Sequence, residues 1–160
     1  MHKIIKKYRY LVRKHDNMYK YTVSPGNSST YVLSVDNHQD IVPAITAFCK
    51  RTGIISGEIR GLGAVSKAVI RYYSPVTKKY EDHVFAEQME IASLTGNISM
   101  KDGEVYLHIH AVFGRNDCSC IGGHLLDATI SGACELFIED LEVKAGRKYD
   151  EETGLNLYEF

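Results

Sequence analysis

Val105-Tyr106-Leu107-His108-Ile109-His110-Ala111-Val112-Phe113 alternates residue by residue, and a period of two predicts a β-strand. Val105, Leu107, Ile109, Ala111 and Phe113 make one apolar face suited to a core. Tyr106, His108, His110 and Val112 make the other. Two imidazoles therefore stand on neighbouring same-face positions about 7 Å apart along the strand, near enough to converge on one ion. A His-x-His pair on a strand is by itself also the pattern of two surface or hydrogen-bonded histidines.

A third histidine lies just downstream. Ile121-Gly122-Gly123-His124-Leu125-Leu126 reads as a chain reversal in which two glycines permit a sharp turn or close backbone approach, delivering His124 onto the next strand. If that strand returns beside the first, His108, His110 and His124 form a three-nitrogen set with one open position, the arrangement of catalytic rather than closed structural zinc. Nickel, copper or iron also accept imidazole, so a divalent transition metal is expected, with zinc first. Cys118 and Cys120, in the loop before the glycines, offer a competing thiol site or redox pair. A single Cys-x-Cys without a second pair is a weak signal, and the two thiols are left out of the set. His2, His15, His38 and His83 occur singly among polar residues and receive no role.

Further out, the period changes once. Ile41, Ile45 and Phe48, with Val42 and Cys49, share one helical face; Asp40 is placed to cap the N-terminus, Pro43 falls in the first turn, and Gly53 suits a left-handed stop. The chain before it is extended, most clearly at Tyr31-Val32-Leu33-Ser34-Val35 and also over 8–13, with a turn at Ser24-Pro25-Gly26-Asn27-Ser28-Ser29. After Gly53, strands are expected at 58–65, 68–73, 80–85, 90–98, 105–113 and 135–143, with turns at Ser74-Pro75, Lys101-Asp102-Gly103 and Gly114-Arg115-Asn116-Asp117. Short, regularly spaced strands around one helix predict an α+β fold: a mostly antiparallel sheet, curved or closed on itself, with one main helix packed on it. The tail over 144–160 carries Leu155, Leu157, Tyr158 and Phe160, which suit docking on the sheet or on a neighbouring subunit.

The bulk numbers narrow the function classes. A chain of 160 residues, 44% hydrophobic, buries one core and reads as a single domain over 1–160. Lys and Arg total 19 against 20 for Asp and Glu, so the molecule as a whole has almost no net field to attract nucleic acid. A local basic stretch does exist: Lys3, Lys6, Lys7, Arg9, Arg13, Lys14 and Lys20 face a single acid, Asp16, a pattern shared by solvated chain termini and by phosphate-binding arms. No apolar run suits a membrane span or a signal peptide, so a soluble, cytoplasmic protein without membrane partners is expected. Its four cysteines are then expected as thiols, with Cys49 and Cys134 as small core residues.

Four segments in order, Gly61-Leu62-Gly63-Ala64-Val65, the run from Glu90-Ile91-Ala92-Ser93-Leu94 to Thr95-Gly96-Asn97-Ile98-Ser99, Leu107-His108-Ile109-His110 and Gly122-Gly123-His124-Leu125, resemble the plants-and-prokaryotes-conserved domain over about residues 8–143. The resemblance implies an antiparallel sheet with packed helices, a homotrimer, and DNA or a DNA-associated protein as partner. No Arg-Gly-Arg-Pro AT-hook core is present, and of the plant Gly-Arg-Phe-Glu-Ile-Leu segment only Glu90-Ile91 remains. The three histidines look like the prokaryotic pattern and are also similar to those of acetolactate decarboxylase, a zinc lyase. Two functions follow: a DNA-binding or DNA-associated regulatory protein carrying a three-histidine metal site, or a metal-dependent lyase acting on a small carbonyl or carboxylic acid substrate. For the lyase, Glu58, Arg60 and Glu90 are candidate acid, base or anion-clamp residues, and structural salt bridges account for them equally well. A trimer sensing a small-molecule ligand is a third possibility.

Overall fold

The computed structural model describes residues 13–15, 18–24 and 27–160. Most of the basic N-terminal stretch, the extended segment over 8–12 and the middle of the first expected turn lie outside the described residues. Lys20 lies within them and pairs with Asp36 at 3.4 Å.

The elements run β1 (Arg13–His15), β2 (Tyr19–Ser24), β3 (Asn27–Val35), α1 (Ile41–Thr52), β4 (Gly57–Ser74), β5 (Lys79–Phe85), β6 (Met89–Lys101), β7 (Glu104–Gly114), β8 (Cys120–Asp140), β9 (Gly146–Asp150) and β10 (Leu155–Glu159). The fold is α+β, one helix on a mostly antiparallel sheet of ten strands among the described residues. Its pairings close a ring: β4 pairs β6, β6 pairs β7, β7 pairs the first residues of β8, and β8 pairs β4. Strands β3, β2 and β1 extend the sheet beyond the far half of β8.

Two expected boundaries differ. The strands expected at 58–65 and 68–73 are one strand, β4, because Lys67 stays paired with Thr129 through register shifts on either side of Val65. Such bulges let a strand bend without ending, and they break the alternation that sequence reading relies on. The strand expected at 135–143 is the final part of β8, which begins at Cys120 and ends at Asp140. Its middle, Asp127-Ala128-Thr129-Ile130-Ser131-Gly132-Ala133-Cys134, is too small and polar to read as strand, yet it is held by β4. The reversal between β6 and β7 is a two-residue hairpin with Asp102 at φ 52° and Gly103 at φ 82°, the left-handed pair that suits the twist of the flanking strands.

α1 lays Ile41, Ala44, Ile45, Phe48 and Cys49 onto the inner face of the sheet. Phe48 is fully buried, and the rings of Tyr19, Tyr21 and Tyr31 meet it edge-on at 5.8, 5.1 and 5.3 Å between centroids. Edge-to-face contacts of this kind add to the burial of area and fix the angle of the helix on β2 and β3. The stop at Gly53 is left-handed, φ 78°, with its N–H donating to the Cys49 carbonyl at 2.9 Å.

The N-terminal cap departs from expectation. Asp40 holds the cap position, but its carboxylate accepts the Thr129 hydroxyl at 2.7 Å and makes no cap hydrogen bond. The free helical N–H of Val42 donates instead to Asp127 Oδ1 at 3.1 Å, from β8. A residue 85 positions away thus serves the helix end, which no local motif reveals. Replacing Asp127 by Ala is expected to cost about 1 kcal/mol, read from urea unfolding. The Asp40→Ala change, which removes one exposed hydroxyl contact, should cost less.

Candidate metal centre

The outer face of β7 carries His108 and His110, as the alternation predicts, while Ile109, Ala111 and Phe113 are buried on the inner face. His124 arrives through the pairing of β7 with β8, in which His110 stands directly opposite His124. The reversal itself lies in the loop at 115–119, closed by Arg115 N–H to the Ser119 carbonyl and Cys118 N–H to the Arg115 carbonyl. Gly122 and Gly123 are therefore not the turn; they sit inside β8 opposite Val112 and Ala111. Their role is close approach: a Cβ on Gly122 would stand 2.7 Å from the Ala111 carbonyl oxygen. Gly123 also takes φ 152°, with Ile70 crowding the place of a Cβ.

The three imidazoles offer nitrogens that all lie within 4.8 Å of one another. His108 Nε2 and His110 Nε2 are 3.3 Å apart. Tetrahedral ligands at 2.0–2.1 Å from a zinc ion stand about 3.3–3.5 Å from each other, so this pair already spans one edge of such a site. Ring centroids are 5.2 Å apart for His108 and His110, 5.1 Å for His108 and His124, and 5.5 Å for His110 and His124. Burial pushes the pKa of His124 down to about 4, helped by the neighbouring His108 and His110 and by Arg71. Burial, His110 and Arg147 lower His108 in the same way. Neutral imidazoles are the ligand form, so the lowered proton affinity of His108 and His124 keeps their nitrogens free for a metal.

A cavity of about 340 Å³ opens beside the histidines, walled by Arg71, Tyr73, Tyr80, Tyr106 and Leu155 among others. Arg71 stands opposite His124 across β4 and β8, donates through Nε and an η nitrogen to Asp82 at 2.7 and 3.0 Å, and lies 5.0 Å from the Tyr80 ring. The hairpin of β9 and β10 completes the wall. Arg147 donates to Ser99 Oγ, Asn97 Oδ1 and the Asn156 carbonyl, each at 2.8 Å, between the rings of Tyr106 and Tyr158. At the other end the Tyr73 hydroxyl donates to the Thr153 carbonyl and Lys78 Nζ to the Glu151 carbonyl. The tail thus docks on its own sheet.

Glu58, Arg60 and Glu90 do not reach this cavity. Glu58 pairs across β4 and β6 with Asn97, the partner of His108, and Arg60 with Thr95, the partner of His110; both stand two strands away. Glu90 sits opposite Gly114, four residues along β7 from His110. Cys118 and Cys120 are exposed and outside the histidine group. Arg71, Tyr80 and Arg147 escaped sequence reading because strand pairing and the docked tail bring them in, while Leu155 was expected to dock but not at the cavity. Tyr106 carried a signal, since it shares the alternating face of the histidines.

A profile of the Plants and Prokaryotes Conserved (PCC) domain matches residues 23–142. The chain belongs to this family. No curated protein matches it. Among solved structures, a "putative dna binding protein" from Bacteroides thetaiotaomicron is 46% identical, covering 89% of this chain and 98% of its own, with a TM-score of 0.85. A metal-containing protein from Archaeoglobus fulgidus is 35% identical over 94% of this chain and 96% of its own, TM-score 0.78. A plant- and prokaryote-conserved protein from Pyrococcus horikoshii is 28% identical over 94% of each chain, TM-score 0.78. The PCC match ends before β9, so the hairpin that walls the cavity lies outside the matched region.

The site gives two predictions. A histidine whose proton affinity falls on folding binds fewer protons in the native than in the unfolded state, so native stability drops as pH falls from about 6.5 to about 4. The metal-free protein should show a falling unfolding midpoint over that window, and His124→Gln should flatten the fall. Burial holds the Cys49 and Cys134 thiols up at about 12, reinforced by Asp140 and Glu135 respectively. A thiol reagent at neutral pH should therefore label Cys118 and Cys120 in the native protein, and Cys49 and Cys134 only after denaturation.

Proposed function

We propose that this PCC-family chain is a DNA-binding or DNA-associated regulatory protein, working as a cytoplasmic homotrimer, that holds a divalent transition metal, zinc first, on His108, His110 and His124. The carrying observation is the convergence of three imidazole nitrogens from two paired strands. The donor set fits: three nitrogens bind zinc and leave a position open, at which a bound ion supplies Lewis acidity. The 35% identical relative from Archaeoglobus fulgidus is itself described as metal-containing.

DNA association is supported by the 46% identical relative described as a "putative dna binding protein" and by the basic stretch of the first twenty residues. With a net charge of −1, phosphate contacts would have to come from that stretch, and a trimer would present three copies of it. Trimer formation is supported by exposed apolar residues on the outer sheet face, Val32, Leu62 at 59% and Phe137 at 50%, which a partner subunit would cover. No helix among the described residues is long and apolar enough to cross a membrane. The lyase reading is weaker here because Glu58, Arg60 and Glu90 stand away from the cavity, whose wall contributes no carboxylate as acid or base. A ligand-responsive metal site suits that wall better.

Zinc-loaded protein should carry about one ion per chain, and His110→Ala should lose it. Less than about a tenth of an equivalent, with no uptake at neutral pH, would sink the metal site. Light scattering should give a trimer. Fluorescence anisotropy with duplex DNA at two salt concentrations should show binding that weakens with salt; none at low salt would remove DNA from the proposal.

A further inference from the structure

We infer that the cavity beside the histidines recognises a small organic monoanion with an apolar body, and that Leu155 of the C-terminal hairpin limits the size of that body. The inference rests on the metal-site reading for part of its charge and adds the ligand class. Three observations carry it.

The charge on the lining itself is one-sided. Its lining has a cation, Arg71, and no carboxylate. Arg71 is answered by Asp82 through Nε and one η nitrogen, which leaves its second η nitrogen without a partner there. Arg147, behind Tyr106, is held among the described residues by neutral acceptors, Ser99, Asn97 and the Asn156 carbonyl, and by the faces of two tyrosine rings. The three histidines contribute donors without negative charge, so a bound divalent ion adds two more positive charges. A site so charged favours an anion, and its partly buried position strengthens the attraction relative to open water.

The walls are apolar. Tyr73, Tyr80 and Tyr106 present rings and Leu155 an isobutyl group, and at about 340 Å³ the space lies at the small end of ligand pockets. A bare inorganic anion would leave those surfaces wet, whereas an anion with a compact apolar body would cover them.

The wall is also held in place. Leu155 and Arg147 lie beyond the region matched to the family, on a hairpin fastened at Arg147 to β6 and at Thr153 and Glu151 to Tyr73 and Lys78. A hairpin tied at both ends presents Leu155 at a fixed place, as a size filter requires.

The test uses the full zinc-loaded chain and three probes, benzoate, benzamide and acetate, titrated calorimetrically, with zinc content measured on every sample. Benzoate should bind at least about tenfold more tightly than benzamide, which lacks the charge, and than acetate, which lacks the body. Leu155→Trp should weaken benzoate by about tenfold and leave acetate unchanged, and Arg71→Gln should narrow the gap between benzoate and benzamide. Equal affinity for benzoate and either other probe, or a Leu155→Trp protein that binds benzoate as before, would overturn the inference. A sample with full zinc and no anion preference overturns this inference alone. A sample that takes up no zinc overturns the metal reading, and its benzoate preference over benzamide, measured separately, still decides whether the wall selects anions.

Discussion

The register of β7 on β8, with His110 opposite His124, is the constraint on which the molecule turns. Because it pairs β7 with the first residues of β8, the path through β4, β6, β7 and β8 returns to its start. A slip of one residue would turn His124 into the interior and bring its buried neighbour Leu125 out, so closure and the histidine cluster stand or fall together. Gly122 protects that register, since its missing Cβ lets the Ala111 carbonyl come close.

The same long β8 serves three further tasks. Its far half pairs β3 and carries the extension of the sheet, its length pairs β4, and its Asp127 holds the helix end. Asp127 is half-buried, and burial raises its proton affinity while the N–H groups of Val42 and Ala128 lower it. A carboxylate in that position is tolerable because two backbone donors meet it.

Electrostatics separates the two faces of the sheet. The inner face is apolar, and the side chain of Phe48 organises tyrosines from two strands around it. The outer face gathers histidines, arginines and tyrosines around a cavity, with an ion pair at its rim, Arg71 to Asp82, partly open to solvent. Surface pairs of this kind add little stability. Their effect here is orientation: Arg71 is held beside Tyr80 and opposite His124. The family match spans β3 to β8 and the histidines, while β9 and β10, which bring Leu155 to the cavity, lie beyond it.

Much of this was legible in the chain. Alternation in 105–113 identified the strand and the face bearing His108 and His110, because a period of two is a local property of the backbone. The helix at Ile41–Thr52 and its stop at Gly53 were equally local. What the sequence hid was non-local. β4 and β8 run through bulges that break their alternation, the helix is capped by Asp127 and not by its own Asp40, and the glycine pair sits within a strand where a reversal was expected. Arg71 reaches the cavity through pairing and Leu155 through the docked tail; the apolar run of the tail suggested docking, but nothing local said where. The chain by itself determined which side chains share a face, since that follows from the periodicity of each element. Only the tertiary structure decided which faces meet, because strand register and tail docking are set by burial and hydrogen bonding between segments far apart in sequence.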